Sequence, residues 1–352
     1  MQIQSPVLCI IPWKNLLPEN FLLYHMNNSY DVGIIGSGCA GLSAAIYTSR
    51  ENYETLVIRG DEPGGQLTLT SEIANYPGFS DGISGPELIQ EMEAQAAKFG
   101  TAFENGIVQS IEKRDGRFVA SLKNGERRVL DSVIVASGSS ARTLNIPGED
   151  ELMGYGVSTC ATCDGAFYRG DDVAIIGGGD AAAEEAVFLT KFADTVHLIH
   201  RRNELRAESY LANKVKENED TEEINILWNT EVTEVEGSKD TGVHQIQLVS
   251  HPDGHPTRKE SEEVENMVLD VDGVFLAIGH TPNTDFLENL SVSIENDGYI
   301  ETATHETYET MTDTEGIFVA GDVADKRYQQ AATAVGDGVR AAMDVAEHLN
   351  RQ

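Results

Sequence analysis

The sequence predicts an α/β protein built from two Rossmann-like dinucleotide-binding domains, the second inserted into the first. Three observations carry this. A strand, glycine turn, helix and second strand begin at Tyr30, and the same pattern is written again from Asp172. A late apolar strand, Gly316 to Val323, supplies a piece the first copy lacks. On this reading residues 30–144 and 270–352 form the first domain and residues 145–269 the inserted one.

The first copy reads Y-D-V-G-I-I, then G-S-G-C-A-G, then L-S-A-A-I-Y-T-S-R, with a second strand from Thr55 to Ile58. Gly36 allows the tight turn, Gly38 lets the backbone approach a pyrophosphate, and Gly41 lets helix and strand pack closely. Cys39 and Ala40 fill the turn between them. The helix N-terminus then offers its free N–H groups to phosphate. The second copy reads V-A-I-I, G-G-G-D-A-A and a helix, then T-V-H-L-I-H ending at His200. Its fingerprint is Gly177 and Gly179, with Ala182 in place of the third glycine, and Asp180 and Ala181 open its helix. One such motif is a weak signal, because any glycine turn matches it. Two copies with the correct flanking elements are strong.

The ends of the second strands differ. An acid there accepts the ribose hydroxyls of an unphosphorylated adenosine. The second copy instead ends H-R-R-N-E-L-R, with Arg201, Arg202 and Arg206, the densest basic cluster in the chain. Guanidinium groups fork onto a 2′-phosphate, so NADPH is expected rather than NADH. The competing reading is a surface ion-pair cluster with Glu204 and Glu208. The first copy ends V-I-R-G-D-E, with Arg59 where an acid is usual, and Asp61 or Glu62 as candidates for that role. Two more segments read as parts of a flavin fold. Val133 to Gly138 is an apolar strand ending in a glycine turn, and the late strand delivers Asp322, an acid placed to hold a ribityl hydroxyl. Gly237 to Glu263 reads as a strand pair with a long exposed loop.

Composition narrows the partners. The chain has 58 acidic against 25 basic side chains, a formal net charge of −33. That surface repels nucleic acid phosphates and anionic lipid heads. No apolar run reaches the length of a membrane helix. Hydrophobic residues make up 40% of the chain, too many for a disordered acidic protein. The acidity and the excess of arginine over lysine resemble a salt-adapted cytosolic protein. The first 29 residues fit no signal peptide and read as an extension or a mis-called start, with Met26 as the expected beginning.

The four cysteines, Cys9, Cys39, Cys160 and Cys163, are too few for a disulfide scaffold and fit a cytoplasmic chain. Cys160-Ala161-Thr162-Cys163 is a C-x-x-C pair, which suggests redox or metal chemistry. A zinc site needs two more ligands, and no second pair follows, so no metal is expected. Asp164 directly follows the pair and suits the proton transfer that thiol–disulfide exchange requires. The bland alternative is an inert buried pair. A flavin fold, an NADPH fold and a dithiol in one chain form an electron path, because a hydride donor does not readily reduce a disulfide directly.

These residues match a known family. From about Tyr30 to its end the chain resembles the low-molecular-weight thioredoxin reductases, flavin-dependent enzymes. The matching words are G-S-G-C-A-G, G-G-Q-L at Gly64, N-Y-P-G-F at Asn75, C-A-T-C-D-G at Cys160, H-R-R-x-x-x-R-A at His200, A-I-G-H-x-P-N-T at Ala277 and A-G-D-V at Ala320. The resemblance implies that Cys163 is the flavin-proximal sulfur, Cys160 the outer nucleophile and Asp164 the acid–base partner. It implies that Gly65, Gln66, Leu67, Asn75, Gly138, Asp322, Gln330 and Ala331 join the first turn in lining FAD. It further implies a homodimer, thioredoxin or a thioredoxin-like disulfide protein as partner, and a large rotation of the inserted domain. Four positions depart from the family: Cys39 for a proline, Ala181 for a serine, Thr159 for a tyrosine and Gln329 for an arginine.

Other readings share the residues. A dithiol oxidase of the same fold would lack the arginine cluster. A reductase of another redox partner differs only in what it meets, and a flavin-binding redox sensor would not turn over NADPH. If the acidity is halophilic, activity should require molar KCl and structure should be lost in dilute buffer. Circular dichroism and NADPH turnover measured across a salt series check this, and full stability without salt would sink it.

Overall fold

The computed structural model describes residues 28–70, 72–251, 264–302 and 307–352. The expected extension, residues 1–29, lies outside these apart from Asn28 and Ser29, and Ser29 already opens the first strand.

The first half of the chain runs β1 (Ser29–Ile35), α1 (Cys39–Arg50), β2 (Thr55–Ile58), α2 (Gly85–Lys98), β3 (Ala102–Glu104), β4 (Val108–Arg114), β5 (Arg117–Leu122), β6 (Arg127–Val135) and β7 (Ser139–Ala141). It continues with β8 (Val157–Ser158), α3 (Ala161–Asp164), β9 (Asp172–Gly177), α4 (Asp180–Leu189), β10 (Thr195–His200), α5 (Ser209–Asp220) and β11 (Ile224–Trp228). After these come β12 (Thr230–Ser238), β13 (Gly242–Ser250), β14 (Glu265–Asp270), β15 (Gly273–Ala277), β16 (His280–Pro282), β17 (Ile317–Val319) and α6 (Ala331–Asn350).

Two sheets, each with a parallel set of strands, organise these elements, as the two fingerprints predict. The first has the order β3-β2-β1-β6-β5-β4, with β17 pairing β6. Strands β1, β2, β3, β6 and β17 run parallel, and β4, β5 and β6 form an antiparallel meander. The late strand thus completes the first sheet from more than 180 residues away in sequence, through Ile317↔Val133 to Val319↔Val135. The second sheet, β11-β10-β9-β15-β8, is parallel throughout. Every residue of β2 and of β15 is buried, as expected of strands covered on both faces.

Helices α1 and α6 cover one face of the first sheet, where Ala40, Ala44, Ala341 and Val345 meet Ile34 and Phe318. The small side chains on α1 allow this approach, and the Ser43 hydroxyl donates to the Val335 carbonyl across it at 3.2 Å. Helix α2 starts on a Ser84 cap that accepts from the Glu87 N–H at 3.3 Å, with proline in its first turn.

The chain stays in the second sheet longer than expected. Strand β15 lies beyond the expected boundary at 269 and 270, yet it pairs with β9 from Gly273↔Val173 to Ala277↔Gly177. The chain leaves the first sheet through β7 and returns through β16, and these two strands pair antiparallel as a ribbon. The expected strand pair starts earlier than Gly237. It is the hairpin β12–β13, extended by β14 into a three-stranded sheet, and residues 252–263 of its expected loop lie outside the described residues. Among the described residues no helix is long and apolar enough to cross a membrane.

The second core positions the redox segment. Phe275 of β15 is fully buried and meets Tyr168 edge-on at 5.3 Å, four residues after Asp164. Phe275→Ala should cost about 3–5 kcal/mol. Urea unfolding followed by circular dichroism checks this, and a loss under about 1 kcal/mol would mean that the cavity collapses without penalty.

Candidate active site

The carboxyl ends of β1, β6 and β17 open on a cleft of about 1220 Å³ that reaches across to Cys160 and Cys163. Gly36 leaves β1 with φ +112°, and a Cβ there would lie 2.2 Å from the Ala136 carbonyl oxygen. A Cβ on Gly41 would lie 2.1 Å from the Gly36 oxygen. Gly38, the N-cap of α1, has open space instead, with the Gly64 oxygen nearest at 3.9 Å. The first turn of α1 carries no acid, so its N–H groups present unopposed positive ends to the cleft.

The remaining flavin-side candidates gather around this turn. The Ser37 hydroxyl accepts from the Gly64 N–H at 2.9 Å and ties the first turn to the short helix of Gly65, Gln66 and Leu67. Asn75 donates through Nδ2 to Oε1 of Gln330 at 3.3 Å. Gln330 caps α6, whose first residue is Ala331. Gly138 accepts through its carbonyl from the Asn283 N–H at 3.1 Å, which anchors the ribbon to the cleft. Gly36, Gly38, Cys39, Ala40, Gly65, Gln66, Leu67, Asn75, Gly138, Asp322, Gln330 and Ala331 all line the cleft, and Gly41 packs behind it.

Asp322 supplies the clearest test of fit. Its Oδ1 is buried without a partner, and burial, with the charges of Asp325 and Asp337, pushes the carboxyl up to about 7. A buried acceptor left alone costs about 1–3 kcal/mol. A polyol hydroxyl donating to Oδ1 would remove that cost and restore the charged form. The open backbone at Gly38 and the unpaired acceptor at Asp322 therefore fit a flavin dinucleotide. Cys39 is packed against Met92, with Sγ 3.7 Å from Sδ, and burial followed by the Asp322 charge pushes its thiol up to about 12. That is a packed thiol that resists ionisation.

Arg59 lines the cleft at the end of β2. Its guanidinium meets Glu93 at 3.0 and 3.1 Å and Asn105 at 3.0 Å, and it stacks on Phe103 at 4.7 Å. Glu93 of α2 thus pairs with Arg59 at the end of β2, while Asp61 and Glu62 line the cleft beside it. Gln329 stands in left-handed backbone, φ +47°, with its amide donating to the Tyr299 hydroxyl at 3.1 Å.

The second glycine turn repeats the first. A Cβ on Gly177 would lie 2.4 Å from the Ala277 oxygen and 2.6 Å from the Ala182 Cβ, so alanine fits the third position because Gly177 has no side chain. Gly179 caps α4 with open space around it. Asp180 accepts from the Glu208 N–H at 2.7 Å, and the Arg206 N–H donates to the Gly178 oxygen at 2.7 Å. These bonds draw the arginine segment against the turn. Arg202 and Arg206 lie close enough to His200 that their charges, after burial, depress its pKa. Among the described residues Arg201, Arg202 and Arg206 form no ion pair, with Glu204 and Glu208 or any other carboxylate. Asp180 and Ala181 reach the main cleft, whereas Gly177, Gly179 and the arginines do not line it.

Cys160 and Cys163 are disulfide-bonded at the start of α3, their Cα atoms 5.3 Å apart. Cys160 Sγ lies 3.9 Å from Nε2 of Gln330, so the pair faces the flavin side of the cleft. The Ser158 hydroxyl accepts from the Cys160 N–H at 3.0 Å. Asp164 is pushed above the usual carboxylate range by burial, with a Ser158 hydrogen bond opposing the shift. Three further residues border this site: Ser37 and Asn283 stand inside the words G-S-G-C-A-G and A-I-G-H-x-P-N-T, whereas Glu185 belongs to no motif. Glu185 had one usable clue, an acid on an alanine-rich helix beside Ala182, Ala186 and Leu189.

The family model described as pyridine nucleotide-disulphide oxidoreductase matches residues 30–338. A thioredoxin reductase of Rickettsia typhi is 41% identical over 322 residues, covering 90% of this chain and 97% of that protein. A bifunctional thioredoxin reductase/thioredoxin of Mycobacterium leprae is 42% identical, over 91% of this chain and 66% of its own length. Among solved structures, thioredoxin reductase from Streptococcus pyogenes aligns with TM-score 0.82 at 37% identity, over 93% of this chain and all of that one. Thioredoxin reductase from Lactococcus lactis in its FR conformation aligns with TM-score 0.59 at 36% identity, over 92% of this chain and all of that one. The chain therefore belongs to the pyridine nucleotide-disulphide oxidoreductase family, among its thioredoxin reductases.

Proposed function

We propose that the chain reduces thioredoxin-like disulfide proteins with electrons from NADPH, through FAD and the Cys160–Cys163 pair. The observation that carries this is the single cleft holding the first glycine turn, the orphaned Asp322 oxygen and the disulfide together. When bound, the nicotinamide nucleotide supplies hydride and the flavin passes two electrons to the disulfide. The residues do the rest. Reduction breaks one S–S bond and takes two electrons and two protons. Asp164, protonated to higher pH than a free aspartate, is placed to hand over one of them. The Cys160 thiolate then attacks the partner's disulfide, Cys163 displaces the partner from the mixed disulfide, and Asp164 protonates the leaving thiolate.

The partner and the assembly rest on the relatives. The fused reductase/thioredoxin of Mycobacterium leprae supports a thioredoxin-like partner. Two structures of similar identity, 37% and 36%, but TM-scores of 0.82 and 0.59 support a rigid-body rotation of the second sheet about the β7–β16 ribbon. A homodimer and a cytoplasmic location complete the reading, the first from the family and the second from the sparse, redox-type cysteine usage.

Asp322→Ala should yield protein that purifies with little bound flavin, read from the visible flavin band against protein absorbance. Retention at wild-type stoichiometry would remove Asp322 from the site. Arg202→Ala with Arg206→Ala should lower kcat/KM for NADPH roughly 10²- to 10⁴-fold, since each of the two charged hydrogen bonds contributes about 1.5–3 kcal/mol. The NADH value should change far less, and an unchanged NADPH/NADH ratio would refute a 2′-phosphate site. Asp164→Asn should lower kcat with a thioredoxin disulfide by roughly 10²-fold, the lower end of what general acid–base catalysis contributes. In the native protein that activity should fall as pH rises through the raised Asp164 pKa, because only the protonated form donates.

A further inference from the structure

We propose that Glu149 is a positioning residue for the redox pair, because its carboxylate pins the linker between the two sheets onto the inserted sheet. This rests on the assignment of Cys160 and Cys163 as the redox centre. Glu149 is 1% exposed, and among the described residues no other acid is buried so deeply. The Leu144 N–H donates to its Oε1 at 2.8 Å and the Ile146 N–H to its Oε2 at 3.3 Å. Asn145 between them stands in left-handed backbone, φ +58°, which turns both N–H groups to one side. The result is a small backbone nest, a concavity that suits an anion. Among the described residues Glu149 forms no ion pair, and these two N–H groups hold it.

The nest sits where the chain enters the inserted sheet. Upstream, the Arg142 N–H donates to the Gly279 oxygen at 2.9 Å and extends the β7–β16 ribbon as far as Arg142. Thr143 alone separates that bond from the nest at Leu144. Downstream, the linker lies against β12 and β13. The Val235 N–H donates to the Pro147 oxygen at 3.0 Å, and a Cβ on Gly148, φ +84°, would lie 1.8 Å from the Val235 oxygen. Leu144, Ile146, Leu152 and Met153 join the core of Val235, Val243 and Ile246. The chain then enters β8, which pairs with β15 and ends two residues before Cys160. With the carboxylate in place, the linker belongs to the inserted sheet from Leu144 onward. Without it, the unpinned stretch grows to residues 143–146 and two N–H groups lose their acceptor. The disulfide is then held less closely at the cleft, and small misplacements of reacting groups slow transfer steeply.

The test uses the full chain with flavin bound and two variants. Glu149→Gln keeps one acceptor oxygen, and Glu149→Leu fills the space with none. Hydrogen exchange read by mass spectrometry should show residues 143–147 exchanging about tenfold faster in the Leu variant, with the Gln variant between it and the native chain. With NADPH and the disulfide form of a bacterial thioredoxin, kcat should fall about three- to tenfold for Leu and less for Gln, while the KM for NADPH stays unchanged. A merely structural role would lower the unfolding midpoint and leave kcat alone. Unchanged exchange in both variants would overturn the proposal, as would faster exchange at native kcat. So would a kcat loss matched by weaker NADP+ binding in a titration, which would place the damage in the nucleotide turn. Should the Leu variant fail to fold, the Gln variant decides by the same readings. If the native chain does not reduce that disulfide at all, the proposed function fails by itself, and the exchange pattern still upholds or overturns the nest.

Discussion

Both crevices depend on one close approach, made twice. The turn glycine after the first strand of each sheet lies against a carbonyl at the end of the neighbouring parallel strand, Gly36 against Ala136 and Gly177 against Ala277. Any side chain at either glycine would push the strand ends apart. The register keeps those ends level, Ile35 opposite Val135 and Gly177 opposite Ala277. A helix can then begin directly above the sheet edge with its N–H groups facing a shared opening. The cleft, the N-caps Gly38 and Gly179, and the delivery of Asp322 by β17 all follow from strands that end at one height.

Desolvation does the chemical tuning. The chain carries a formal charge of −33, so it is dense in carboxylates. Asp164, Glu185 and Asp322 differ because packing has taken them out of water, and in each case burial is the leading cause of the raised pKa. All three border the cleft. Two flank the cysteine pair by different routes, Asp164 from the redox loop itself and Glu185 from the nucleotide-binding helix. Against this acidic background the arginines beside His200 are conspicuous for lacking ion pairs among the described residues, which leaves their forked donors free for an anion.

The motifs were legible because each is a local rule. A glycine spacing reports a backbone conformation, an arginine run at a strand end reports a ligand charge, and a C-x-x-C pair reports a possible disulfide, all within a few residues. The end of the inserted segment was not legible at the same precision. Strand β15 is a short apolar run that would suit either sheet, and only pairing with β9 assigns it. Strand β17 could be placed because Asp322 follows it and marks its purpose. The partner of Arg59 was not legible either, since Glu93 reaches it from a helix 34 residues later.

The sequence by itself determined the fold class, the two glycine turns and the C-x-x-C pair, because these follow from backbone sterics and chemistry over short spans. The tertiary structure alone decided which acids would lose their water. Glu184 and Glu185 are adjacent and chemically identical, yet Glu184 is exposed while Glu185 is half-buried with its Oε2 out of reach of water. That difference comes from which face of α4 the packed chain covers, and no local pattern of residues records it.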